Sequence, residues 1–234
     1  MRKLGIVLAA LACLAFVAFP AHSAGGAAGK MSFGVTGGLT MPSGKLGEKF
    51  DPTVDLDTNE GIGADMKMGM DFGFNFEYGV TKDIAVGADF SYSTMTMDDQ
   101  TILGTTYSEL LKAKTMQFGV HGKYFVPTQG PIVPYLSLGV GMYNRKLEAS
   151  KDFQDGAGIN EESISDTKPG GFAGVGVEYK VTPLFGIGVD GAYHMAAGKL
   201  EHDFGGGTDE TVLKDWTYMT FNVGVKYHIP MAGK

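Results

Sequence analysis

Cysteine is almost missing from this chain. The single one, Cys13, lies in an N-terminal apolar run, so a mature form without that run has no disulfide to support its fold. Cys13 does not read as an acylated first residue, because Ala10 stands where a leucine is usual and a further apolar stretch, residues 14–19, follows it. Cations are also scarce. With 19 Lys and Arg against 26 Asp and Glu, the formal charge is −7, which argues against a nucleic-acid partner. No apolar run reaches the roughly 20 residues of a membrane-spanning helix. The longest, residues 4–19, follows Met1, Arg2 and Lys3 and precedes the small residues Ala21 and Ser23. That is the pattern of a secretory signal peptide over residues 1–23, cleaved near Ser23. Losing Arg2 and Lys3 takes the formal charge from −7 to −9. Glycine is abundant, at 36 residues, yet it has no three-residue period, which excludes a collagen-like helix.

What the chain does have is alternation. Residues 76–92 read FEYGVTKDIAVGADFSY and residues 177–193 read VEYKVTPLFGIGVDGAY; aligned, they share Glu-Tyr, Val-Thr, Gly, Asp and Tyr. Each copy is a strand, a Val-Thr turn and a second strand with apolar residues at every other position, the period of a β-strand. In the first copy Ile84, Val86, Ala88, Phe90 and Tyr92 oppose Ala85, Gly87, Asp89, Ser91 and Ser93. In the second, Phe185, Ile187, Val189 and Tyr193 oppose Gly186, Gly188, Asp190, Ala192 and His194. Asp89 and Asp190 therefore occupy equivalent polar-face positions, and the glycines beside them mark a face with little room. A sheet that is oily on one face and polar on the other suits a barrel closed in lipid.

The same alternation predicts eight strands, at residues 31–41, 66–78, 84–96, 113–126, 132–145, 170–180, 185–196 and 215–229. Long connections over 42–65, 97–112, 146–168 and 197–214 alternate with short turns, as they do when one rim faces outside and the other the periplasm. Residues 24–30 read as a flexible lead, 31–229 as the barrel and 230–234 as a short C-terminal extension. The expected fold is all-β: an eight-stranded antiparallel up-and-down transmembrane β-barrel behind a cleaved signal peptide. Tyr78, Tyr124, Tyr179, Phe185 and Tyr227 fall outward at the short-turn ends, and Tyr92 and Tyr193 begin the opposite belt. Together they make an aromatic girdle at the lipid and water boundary. Met66, Met68 and Met70 share the lipid-facing parity, so packing is expected of them rather than copper binding.

With these features in hand the chain resembles the small eight-stranded outer-membrane barrels of Gram-negative bacteria, the OmpA/OmpX-like family. The two repeated hairpins carry the resemblance, together with the closing run Asn222-Val223-Gly224-Val225-Lys226-Tyr227-His228-Ile229. In that run Asn222, Gly224, Tyr227 and Ile229 resemble the signal the family presents to its assembly machinery, although the family usually ends in Phe where this chain has Ile229 and then Pro230. The resemblance implies export to the outer membrane, outer-membrane lipids and lipopolysaccharide around the barrel, contact with the assembly machinery, and a monomer.

The inward positions collect charge of both signs: Lys67, Asp71, Glu77, Asp89, His121, Lys123, Arg145, Glu178, Asp190, His194, Lys226 and His228, with Lys180 beside them. An eight-stranded interior is just filled by side chains, so these groups are expected to pair into a plug. The alternative is a narrow pore lined by the same residues. His121, His194 and His228 have no metal-ligand spacing, so neither metal nor cofactor is expected. A lipid-modifying enzyme would need His202 and Asp203 beside Ser163 or Ser165, and that chemistry is the less favoured reading. Residues 55–61 start the rhythm of a calcium loop but fail it, with glycine one position late and Met66 where a Glu would close it. The long loops are acidic and face outside, where they keep the surface soluble or meet a surface protein partner. The expectation is a non-enzymatic barrel with a structural or surface-interaction role.

Overall fold

The computed structural model describes residues 27–49, 63–102, 105–107, 110–149, 163–202 and 210–230. In chain order its strands are β1 (Lys30–Ser43), β2 (Gly69–Gly79), β3 (Ile84–Thr96), β4 (Gln100–Ile102), β5 (Thr105–Tyr107) and β6 (Leu111–Phe125). There follow β7 (Ile132–Ala149), β8 (Ser163–Lys180), β9 (Phe185–Ala196), β10 (Leu200–His202), β11 (Glu210–Leu213) and β12 (Trp216–Pro230). Eight of them close an antiparallel barrel in the order β1-β12-β9-β8-β7-β6-β3-β2, and β4–β5 and β10–β11 are two-stranded hairpins at the long-loop end. Closure comes from β1 against β12, where Val35 faces Val225 and Leu39 faces Phe221. With every neighbour antiparallel and no open edge, each barrel strand has its backbone groups paired on both sides, as a sheet in lipid requires.

The repeated Val-Thr pair makes the same turn twice. Val80 and Thr81 both donate their N–H groups to the Ile84 carbonyl, at 2.9 and 3.1 Å, and Val181 and Thr182 do the same to Phe185, at 2.9 and 3.0 Å. The threonine hydroxyls then accept from the N–H groups two and three residues on: Asp83 and Ile84 in one turn, Leu184 and Phe185 in the other. A hydroxyl that caps its own turn is why threonine stands at this position in both copies.

The faces follow the expected parity along all eight strands. Phe33, Phe72, Phe74, Phe118, Leu138, Val140, Val189 and Val223 stand outward and exposed, while Asp71, Glu77, Gln117, His121, Lys123, Glu178, His194 and Lys226 are buried inside. Inward glycines make room for rings. A side chain at Gly139 would begin 2.2 Å from the Phe172 ring, and one at Gly176 would begin 2.4 Å from Tyr135.

The structure differs from the sequence reading mainly at the long-loop end. The second strand begins at Gly69, not at residue 66, and Met66 is buried at 6% exposure in a bridge to Met97 instead of facing lipid. Met68 and Met70 do stand outward. β7 and β8 run on to Ala149 and back to Ser163, through much of what reads as a loop. Their extension has no apolar outward face because that face has left the oil. Its inward residues, Leu147 and Ile164, join an apolar cluster instead. That cluster, with Leu46, Met95, Met97, Leu200, Leu213, Trp216 and Tyr218, forms a core under the loops. The lead is anchored from Ala27 onward, since Ala27 N–H donates to Lys82 O and Gly29 N–H to Gly79 O, each at 2.9 Å. The segment expected to be a signal peptide, with Cys13, the calcium-like segment 55–61 and residues 231–234 lie outside the described residues.

Candidate functional site

Every ionisable side chain but one of the expected interior set points into the lumen, and the barrel stacks them in layers. The layer nearest the short turns is ionic. Glu77 on β2 accepts from Lys123 Nζ on β6 at 2.6 Å, and from Lys226 Nζ on β12 at 2.9 and 3.1 Å. Glu178 on β8 lies 3.4 Å from Lys226 Nζ and 2.9 Å from His228 Nε2. Four strands each contribute one charge, two of each sign, and Lys123 also lies 4.2 Å above the centre of the Tyr135 ring. Glu77, Glu178, Lys123 and Lys226 are all buried. Charges taken out of water persist only when paired and hydrogen-bonded, and this arrangement satisfies both requirements.

The next layer is built on carboxylates and amides. His121 Nδ1 lies 2.9 Å from Asp89 Oδ1, Gln117 Nε2 donates to Asp89 Oδ2 at 2.5 Å, and the Ser91 hydroxyl donates to Gln117 Oε1 at 3.0 Å. Between the neighbouring strands β2 and β3 the Ser93 hydroxyl donates to Asp71 at 2.5 Å, and the Tyr135 hydroxyl of β7 reaches Asp190 of β9 at 3.5 Å. His121 Nε2, 3.5 Å from Glu77 Oε1, links this layer to the ionic one. A pocket of about 100 Å³ remains between Asp71, Asp89 and Asp190.

Above it rings occupy the lumen. His194 stacks on Tyr218 at 4.7 Å with 2° between the planes, and on Phe172 at 5.3 Å. Its Nδ1 is 3.3 Å from the Tyr143 hydroxyl and its Nε2 is 3.2 Å from Thr220 Oγ1. Trp216 is next, at 0% exposure, donating Nε1–H to Thr115 Oγ1 at 2.9 Å. Arg145 lies 5.7 Å over the Trp216 ring and forks onto Asp166, with Nε donating at 2.7 Å and NH2 to the second carboxylate oxygen. Its remaining donors reach the Gly198 and Lys199 carbonyls, at 3.0 and 3.2 Å. A bidentate guanidinium so placed ties β7, β8 and the β9–β10 connection together across the mouth. The open space lies at the other end, where a vestibule of about 480 Å³ reaches in from the short turns as far as Glu77 and Glu178.

Residues 9–228 match the model of a protein family described as the outer membrane protein beta-barrel domain. The chain belongs to that family. Two solved structures share the fold of this outer-membrane barrel. Outer membrane protein OprG from Pseudomonas aeruginosa is 14% identical, with a TM-score of 0.56 over 90% of this chain and 99% of that one. Neisserial surface protein A is 16% identical, with a TM-score of 0.54 over 86% and 97%. Identities this low carry the fold alone. No curated protein matches the chain in sequence.

As an outer-membrane barrel, the molecule presents its oil where the membrane requires it. On β2 the outward residues run from Met70 to Tyr78, about 27 Å of strand, or about 21 Å along the axis at a tilt of ~40°. That is near the ~25 Å apolar band of such barrels. Tyr78, Tyr124, Tyr179, Phe185 and Tyr227 stand exposed at the periplasmic ends, with Phe185 and Tyr227 in ring contact at 4.9 Å, and Tyr193 is exposed near the other end. Tyr92 shares that outward parity, facing Met116 across the β3–β6 pair. On β12, Tyr227 and Ile229 face outward while Asn222 is buried in the lumen, and Gly224 sits beside Thr36 of β1.

Lys67 is the correction to the interior set. It precedes β2, its side chain is 45% exposed, and it pairs with Asp98 Oδ1 at 2.9 Å on the extracellular rim. The hydrogen bond from Lys67 holds the Asp98 carboxyl below its ordinary range. Alternation extended three residues too far put Lys67 inside; Gly69, where any side chain would collide with the Thr94 carbonyl, marks where the strand begins. Because the pair is exposed, Lys67→Ala is expected to leave the urea unfolding midpoint within experimental error. A clear downward shift would show that the pair holds the rim.

The three inward histidines stay apart, each within its own layer. Among the described residues no group of three or more His, Cys, Asp or Glu is placed to hold a metal ion. Ser163 and Ser165 lie on the outward parity of β8. His202 ends β10, and Asp203 lies outside the described residues. What sequence reading missed is this layer of rings with Arg145 over it. Trp216, Tyr143, Thr115 and Phe172 all have inward parity, but parity does not rank them above other inward residues. Asp166 reads as loop, although counting back from Glu178 in twos reaches it.

Proposed function

We propose that this outer-membrane protein is a closed, non-catalytic barrel that works through its extracellular end rather than by passing solutes. The observation that carries the reading is the filled lumen. The ionic layer around Glu77, the stacked rings around His194 and the Arg145–Trp216 closure succeed one another along the axis, leaving the vestibule open only to the periplasm. The extracellular end then has the means to interact: β7 and β8 project beyond the oil, and the hairpins β4–β5 and β10–β11 stand over an apolar core that fixes their base. The barrel acts as a monomer, assembled through its closing strand β12, with lipid on its outer face and a surface protein at its loops.

The test is single-channel conductance of refolded protein that shows a heat-modifiable band. Silence is expected. Steady discrete openings whose size changes with Lys123→Glu would replace the plug with a pore. Partner binding that persists in a folded, loop-deleted barrel would move the interaction away from the loops.

A further inference from the structure

Just above the oil, one wall of the barrel carries charge that the interior does not use. Cross-strand neighbours on β3, β6, β7 and β8 stand there in three rows. The lowest is Tyr92, Met116, Asn144 and Thr167; the next is Thr94, Lys114, Lys146 and Ser165; the highest is Thr96, Lys112, Glu148 and Ser163. Ala113, Arg145 and Leu147, which alternate with these residues, are buried, so parity puts the three lysines and Glu148 on the outside. Beneath them the same wall is hydrocarbon, with Met116, Phe118, Val120, Val140 and Met142 exposed. The lysines therefore begin one row above the end of the oil, at the depth of lipid headgroups.

Their arrangement is short of negative charge. Lys114 and Lys146 face each other directly across the β6–β7 pair, a placement in which like charges repel. Glu148 relieves this pair, 2.5 Å from Lys114 Nζ and 2.9 Å from Lys146 Nζ. Lys112, opposite Glu148 in the ladder, is exposed and enters no ion pair among the described residues. Among the described residues three cations thus share one carboxylate, in a chain whose formal charge is −7. Outward positions near the extracellular ends of β1, β2, β9 and β12 are neutral: Met41, Met70, Tyr193, Met195 and Met219. Among the outward positions of the described barrel strands, positive charge occurs on this wall and at this depth alone, beside the hydroxyls of Thr94, Ser163 and Ser165.

We propose that Lys112, Lys114 and Lys146 form a docking site for the phosphorylated headgroup of an outer-leaflet glycolipid, whose acyl chains lie on Met116 and Phe118. The acidic loops above would repel such phosphates; this wall supplies the counter-charge locally. A lipid is the occupant the site favours over a soluble polyanion, because its lysines continue directly from exposed oil.

The probes are diphosphoryl lipid A and its dephosphorylated form, titrated into the folded barrel in phosphatidylcholine nanodiscs and counted by native mass spectrometry. Wild-type protein is expected to prefer the diphosphoryl form by about tenfold or more. Each Lys→Gln change should weaken binding about fivefold, and the triple variant should lose the preference. Glu148→Gln should strengthen binding, since it removes the competing anion. Lys82→Gln, at a periplasmic turn, should change nothing. If the triple variant fails to give a heat-modifiable band, Lys112→Gln, which breaks no ion pair, carries the test alone. An unchanged preference in folded lysine variants, or weaker binding by Glu148→Gln, overturns the site. Dextran sulfate binding as tightly as diphosphoryl lipid A would overturn the lipid assignment and leave a polyanion site.

Discussion

Glu77→Gln is expected to destabilise the folded barrel by about 3–5 kcal/mol, read from urea unfolding in lipid vesicles. The size follows from what is left behind. Glu77 is the acceptor for both Lys123 and Lys226, at 2.6 and 2.9 Å, and both ammonium groups are buried. A neutral amide of the same shape keeps the packing and removes the charge, so two cations face each other in a space water reaches only from the vestibule. Lys226 retains Glu178 at 3.4 Å, whereas the close carboxylate contact of Lys123 is lost. The double variant Glu77→Gln/Lys123→Gln should therefore recover a large part of the loss, and a double-mutant cycle measures the coupling. A cost below ~1 kcal/mol for the single change would mean that the layer is hydrated and its pairs are weak.

Trp216→Ala should cost a similar ~3–5 kcal/mol, the range for emptying a fully buried aromatic site. Its ring lies under Arg145 and over the lumen, and its Nε1–H satisfies Thr115 Oγ1. Removing it leaves a cavity at the extracellular closure and an orphaned hydroxyl within it. Trp216→Phe, which fills most of the space and loses only the hydrogen bond, should cost about 1 kcal/mol. The chain has one tryptophan, so fluorescence reports on this site alone. Emission should be blue-shifted and protected from both aqueous acrylamide and brominated lipids, because the ring faces the lumen rather than water or bilayer. Strong quenching by either agent would place Trp216 outside the closure and remove the basis for a sealed mouth.

The sequence was legible where one rule applied along a whole strand. Alternation assigns Asp71, Glu77, Asp89, His121, Lys123, Glu178, Asp190, His194, Lys226 and His228 to the lumen, and all ten are there. Arg145 is inside too, though it works at the mouth and not in the ionic layer. The reading lost its hold where the environment of the outward face changes. Lys146 and Glu148 are polar because their strand has risen out of the bilayer, and polar alternation looks the same as loop. Lys67 erred in the other direction, since Met66 and Met68 continued the pattern past the point where the backbone still pairs in the barrel.

Taken by itself, the sequence determined the number of barrel strands, the face on which side chains within those strands lie, and the alternation of short and long connections. These depend on period two and on turn chemistry, which are local. Only the tertiary structure decided which charges meet and which rings stack in the lumen. Glu77, Lys123, Glu178 and Lys226 come from four strands, and their pairing depends on the stagger between strands, which no single strand encodes. The closure by Arg145, Asp166 and Trp216 depends on two strands continuing beyond the membrane and on an apolar core under the loops. Both arise from contacts between residues far apart in the chain, where burial and charge pairing, rather than periodicity, set the geometry.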